Sequence, residues 1–152
     1  MSDYVAAVRE MACKVLELMA EGLRILPKDV FSRLLKDKQS DSLFRLNHYP
    51  PRPEEVGGEL NENNLVGFGE HTDPQIISVL RSNNTAGLEI SLKDGNWVSV
   101  PPDQASFFIN VGDSLQVGLV QFFARSVIRW VTWKIYGSLA LCHRVNWFST
   151  PS

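Results

Sequence analysis

Apolar residues recur at three- and four-residue steps near the start of the chain. Val5, Val8, Ala12, Val15, Met19 and Leu23 form the stripe, and Arg9, Glu10, Lys14, Glu17 and Glu21 lie largely off it. That period predicts an amphipathic helix over residues 3–26, weakened at Gly22 and stopped by Pro27. A shorter helix follows over 28–35, before the polar break Lys36–Asp41. From Ser42 the period changes to that of strands. The segment 43–49 alternates and is stopped by Pro50-Pro51-Arg52-Pro53, and residues 54–64 read as a Gly-, Glu- and Asn-rich loop. Strands are expected at 65–72 and 75–81, with a turn at Asn83-Asn84-Thr85. The clearest hairpin joins Leu88–Leu92 to Trp97–Val100 through Asp94-Gly95, a pair that tolerates the positive φ of a tight turn. A buried strand at 106–111 ends at Gly112-Asp113. Short strands at this spacing predict a mainly β fold with N-terminal helices, a sandwich or jelly roll rather than a parallel sheet.

Past Val117 neither period persists. Residues 118–152 hold Trp130, Trp133 and Trp147, three of the four tryptophans, and carry Arg125, Arg129, Lys134 and Arg144 with no Asp or Glu. The tail is therefore +4 and residues 1–117 are −6. The break divides the chain into a patterned domain, 1–117, and a divergent tail, 118–152, read either as unselected sequence that is not a native part of the fold or as a core-completing hairpin. A sheet ending near Val117 would keep an unpaired edge.

At 152 residues and 44% hydrophobic, the chain is long enough for one domain with a real core. A net charge of −2 offers no overall basic field for nucleic acid or an anionic membrane. Cys13 and Cys142 have no disulfide-framework spacing and read as packing residues in a reducing compartment. No signal-like segment and no 18-residue apolar run is present. A cytoplasmic chain with neither nucleic-acid nor membrane partners is expected; oligomeric state is not readable.

The candidate chemistry is His71-Thr72-Asp73. On extended backbone, side chains at i and i+2 share a face, so an imidazole and a carboxylate can reach one ion together. Two histidines and one carboxylate on one octahedral face suit non-haem Fe(II), because three positions stay open. His-x-Asp alone also fits an exposed histidine beside a turn-forming Asp-Pro.

Several ordered blocks resemble one family. They are Arg45-Leu46-Asn47-His48-Tyr49-Pro50-Pro51, the stretch 67–78 around the His-Thr-Asp, Leu80–Asn84, Gly87–Ile90, Asp94–Asp103 and Phe107–Val117. Together they resemble the plant 2-oxoglutarate- and Fe(II)-dependent dioxygenases, and within them the gibberellin 2-oxidases. The resemblance runs from about residue 3 to Val117. It implies a double-stranded β-helix, here partial, with Fe(II) held by His71 and Asp73. It also implies that Asn47 and Tyr49 lie at the 2-oxoglutarate site, Tyr49 as a hydroxyl donor, with His48 on the opposite strand face in a structural role. Phe107, Phe108 and Trp97 read as core in preference to pocket wall. The activity implied couples 2-oxoglutarate decarboxylation to hydroxylation of a gibberellin, a carboxylated diterpenoid, at carbon 2, which inactivates it.

The chain departs from the family pattern after Val117. The family's second iron-binding histidine stands in a His-Arg-Val context. His143-Arg144-Val145 offers that context, 72 residues after His71, a longer interval than the family's. The Arg-x-Ser that clamps the far carboxylate of 2-oxoglutarate is missing, as is the region preceding the first helix. An enzyme in incomplete form with impaired activity is expected. The rival reading is a non-catalytic fragment or splice form acting as a binding or regulatory module.

Overall fold

A computed structural model describes residues 1–48, 66–118, 127–131 and 138–143, and beyond Gln116 it describes the backbone alone. Helix α1 spans Ser2–Gly22 and α2 spans Ser32–Lys36. The expected first helix ends four residues early, because Leu23 caps it and Arg24 turns the chain at a φ of 57°. Its buried face is centred on Val8, Ala12, Cys13, Leu16 and Ala20, with Val5, Val15, Met19 and Leu23 at the margins of that stripe.

Eight strands follow: β1 (Ser42–Asn47), β2 (Val66–His71), β3 (Ile77–Ser82), β4 (Leu88–Ser91), β5 (Trp97–Ser99), β6 (Phe108–Val111), β7 (Val127–Val131) and β8 (Ser138–His143). They form two antiparallel four-stranded sheets, ordered β1-β8-β3-β6 and β2-β7-β4-β5. Helix α3 (Asp113–Gly118), not expected from the sequence, follows β6. Each expected strand has its counterpart, with ends shifted by one or two residues and positions 49 and 65 outside the described residues, and the Asp94-Gly95 hairpin pairs Glu89 with Ser99 and Ser91 with Trp97, Gly95 taking a φ of 84°.

Two clusters position everything else. Val8, Ala12, Cys13, Leu16 and Leu35 pack with Ile76, Ile77, Val79 and Leu115, so α1 covers the outer face of the first sheet. Leu80 and Leu88, with Ile90, Val100 and Phe108, form a second cluster joining the two sheets. Ile77 to Leu80 is therefore buried on both faces, which is why its sequence reads as a continuous apolar run rather than an alternation. Phe107 joins the helix-side cluster and Phe108 the inter-sheet one.

Within the tail, β8 lies between β1 and β3, pairing Leu43 with Cys142 and Ser78 with Cys142, and β7 lies between β2 and β4. The physical reason is the backbone: β1 and β3 each present a row of N–H and C=O groups that only an intervening strand satisfies. Five or six residues with strand-compatible side chains suffice for that, whatever their net charge.

Candidate metal centre

His71 ends β2 and Asp73 stands two residues on, in the turn that leads to β3. The imidazole Nε2 and the carboxylate Oδ1 are 3.7 Å apart, and both side chains are mostly buried. Each is oriented by a neighbour. His71 Nδ1 lies 2.7 Å from the Gly69 carbonyl oxygen, an atom that can only accept. Nδ1 therefore carries the proton and Nε2 presents its lone pair outward, the tautomer a metal ligand needs. The Phe68 ring meets the imidazole edge-on at 4.3 Å and limits its rotation. Asn110 Nδ2 donates to Asp73 Oδ2 at 3.1 Å, leaving Oδ1 toward His71.

The turn itself is held from β6 and α3. Thr72 Oγ1 donates to Asp113 Oδ2 at 2.6 Å, the Asp113 N–H donates to the Asp73 carbonyl at 2.7 Å, and the Gly112 N–H donates to the Ile76 carbonyl at 3.0 Å. Ser114 Oγ donates to the Pro74 carbonyl, and Gln75 Nε2 donates to Ser78 Oγ. Gly112 is required by close approach: a Cβ there would sit 1.7 Å from the Gln75 carbonyl oxygen. None of Asn110, Gly112 and Asp113 was singled out as functional from the sequence. The signal available was an amide at an inward position of an apolar strand, directly before Gly-Asp.

These residues fit two of the three protein ligands of a facial triad, an imidazole nitrogen and a carboxylate on adjacent positions. Among the described residues no group of three His, Cys, Asp or Glu side chains could hold an ion. His143 stands in register opposite Ile77 on β3 and Ser42 on β1. That row continues to Val111, and both Ile77 and Val111 belong to the helix-side cluster. The adjoining row, Asn110, Ser78, Cys142 and Leu43, contains the residue that bonds Asp73. Across from His71 itself, the β7 partner is Ile128. Asn47 is half-buried at the end of β1, four residues past Leu43, or about 13 Å along the strand. Tyr49 lies outside the described residues.

A family model, the 2OG-Fe(II) oxygenase superfamily, matches residues 40–129, and the chain belongs to that family. Members of this class take Fe(II) and 2-oxoglutarate as cofactor and cosubstrate. The similarity narrows further. Gibberellin 2-beta-dioxygenase 1 of Pisum sativum is 68% identical over 117 residues, 77% of this chain and 35% of the relative; gibberellin 2-beta-dioxygenase 1 of Arabidopsis thaliana is 57% identical over 77% of this chain and 36% of its own length. The chain thus spans about a third of the length of these relatives. Among solved structures, JOX2 in complex with 2OG, Fe and JA superposes with a TM-score of 0.79 at 21% identity, covering 95% of this chain and 41% of that one. The dioxygenase for auxin oxidation 1 of Arabidopsis thaliana, in its binary complex with 2-oxoglutarate, gives 0.76 at 22%, covering 95% and 51%. These likenesses establish the double-stranded β-helix as the fold.

Proposed function

We propose that this chain is the core of a gibberellin-directed Fe(II)- and 2-oxoglutarate-dependent dioxygenase whose own turnover is impaired. The observation that carries this reading is the convergence of His71 Nε2 and Asp73 Oδ1 at 3.7 Å, each oriented by a hydrogen bond on its other polar atom. Bound there, Fe(II) with 2-oxoglutarate would activate dioxygen, the oxidant: one oxygen atom would leave in succinate as the 2-oxo acid loses CO2, and the other would enter the substrate C–H bond. The protein's share is orientation. Gly69 fixes the histidine tautomer, Asn110 turns the carboxylate, and the Thr72–Asp113 link holds the turn. Asn47 and Tyr49 are assigned to the cosubstrate end by the family resemblance. The substrate is a small carboxylated diterpenoid of the kind the relatives' names give, met in the cytoplasm. Among the described residues no helix is long and apolar enough to cross a membrane.

Residues 118–152 form the divergent segment of this reading, which assigns them neither a third ligand nor the carboxylate clamp; within them Val127–Val131 and Ser138–His143 are strands β7 and β8. This reading leaves His143, the candidate third ligand, out of the ligand set; its backbone shares the register row of Ile77 and Val111 rather than that of Asn110. The chain therefore binds Fe(II) weakly and turns over little. Anaerobic titration with Fe(II), followed by measurement of succinate released with and without a gibberellin, tests this. Metal uptake lost in His71→Ala, with succinate far below stoichiometric, is expected; absence of any His71-dependent metal uptake overturns the reading. A second reading, a non-catalytic binding module, is favoured by the lack of a three-donor group among the described residues. Ligand binding with no detectable succinate distinguishes it.

A further inference from the structure

Arg45 of β1 is a cation that the proposed function leaves unused. Its neighbour Phe44 packs into the helix-side cluster, with Tyr4 edge-on at 6.4 Å, so alternation along β1 turns Arg45 to the other face, between the sheets. There its guanidinium carbon lies 5.6 Å from the centre of the Phe68 ring, which belongs to the opposite sheet and itself contacts His71 at 4.3 Å. In register Arg45 falls in the row of Leu80 and Phe108, one alternate position beyond the Leu43, Ser78 and Asn110 row that bonds Asp73. That is a step of about 6.7 Å along the strand. Arg45 is exposed, and among the described residues it forms no ion pair. A cation–π contact with an aromatic face restrains a guanidinium without using its N–H donors, which can then capture a carboxylate with two parallel hydrogen bonds.

We propose that Arg45, backed by Phe68, is a carboxylate-binding residue that takes the free carboxylate of an acid whose other end lies at the His71–Asp73 ion. The inference rests on the proposed metal site. The separation suits a short dicarboxylate such as 2-oxoglutarate lying along β1, which would give the chain a clamp at a position other than Arg-x-Ser. The carboxylate of the diterpenoid substrate is the alternative source of the same chemistry.

Equilibrium dialysis of the full chain with labelled 2-oxoglutarate and with labelled pyruvate, in saturating Mn(II), reads this without turnover. Pyruvate keeps the metal-binding 2-oxo acid and lacks the far carboxylate. The parent chain should bind 2-oxoglutarate about tenfold or more tightly than pyruvate, Arg45→Gln should abolish that preference while leaving pyruvate affinity unchanged, and Arg45→Lys should restore part of it. Because the readout is a ratio, general unfolding does not mimic it. If the carboxylate belongs to the substrate, Arg45→Gln keeps the ratio but loses the preference for a gibberellin acid over its methyl ester. A variant that retains both preferences overturns the proposal while leaving the metal site standing. Loss of all metal-dependent binding in the parent chain overturns the proposed function instead.

Discussion

Gly112→Ala should couple loss of stability to loss of the metal site. A Cβ at this position meets three backbone atoms, the Gln75 carbonyl oxygen at 1.7 Å, the Gln75 carbonyl carbon at 2.6 Å and the Asp73 carbonyl oxygen at 2.9 Å. No side-chain rotation relieves contacts with backbone. Bringing the first contact to even 3.0 Å moves the Asp73–Gln75 turn away from β6 by more than 1 Å. That displacement breaks or stretches the bonds from Gly112 to Ile76 and from Asp113 to Asp73, each contributing about 1 kcal/mol net, and adds about 1–3 kcal/mol of overpacking. The expected loss is about 3–5 kcal/mol, a large share of the stability of an ordinary domain. Since Asn110 and Asp113 orient the same turn, Mn(II) affinity should fall about tenfold or more. Urea unfolding followed by circular dichroism gives the first quantity and Mn(II) titration by electron paramagnetic resonance the second. Gly69→Ala is the control, because a Cβ there meets nothing within 4 Å and its effect should stay within about 1 kcal/mol. A Gly112→Ala chain within about 1 kcal/mol of the parent, with unchanged Mn(II) affinity, would refute the close-approach argument.

Asn110→Leu should weaken Mn(II) binding about 10–100-fold by freeing the Asp73 carboxylate to rotate, and Mn(II) titration at matched folded fraction checks it. His143→Ala should leave Fe(II) affinity unchanged in an anaerobic titration; a large loss specific to this substitution would restore His143 as a ligand. Leu16→Ala, at a fully buried position of α1, should cost about 2–5 kcal/mol in urea unfolding. The Glu17 carboxylate accepts from Lys36 Nζ at 3.0 Å and Ser32 Oγ at 2.8 Å, and the Lys36 bond first, then that of Ser32, holds its pKa below the ordinary value. A folded pKa below the unfolded one contributes stability that is complete above the ordinary glutamate range, near pH 4.3, and is lost as pH falls through the depressed folded value. Stability measured across that range should therefore decline less steeply in Glu17→Gln than in the parent chain.

The local period was enough to find α1, the strands of residues 42–111 and the Asp94-Gly95 hairpin, because helix and strand periodicities and a positive-φ turn are written in neighbouring residues. The approach of His71 to Asp73 was legible for the same reason: side chains at i and i+2 need only one extended backbone to point them together. The rest depends on partners distant along the chain. Asn110 and Asp113 are 37 and 41 residues from the side chains they bond, Gly112 matters only because the Gln75 carbonyl is against it, and Arg45 meets Phe68 only because two sheets face each other. The tail divides along the same line. Its composition marks a change after Val117, yet where Val127–Val131 and Ser138–His143 lie is decided by unpaired backbone on β1, β2, β3 and β4, which no side-chain pattern within the tail records. Which residue stands across from His71 is likewise a matter of register between strands, and register is a property of the assembled sheet.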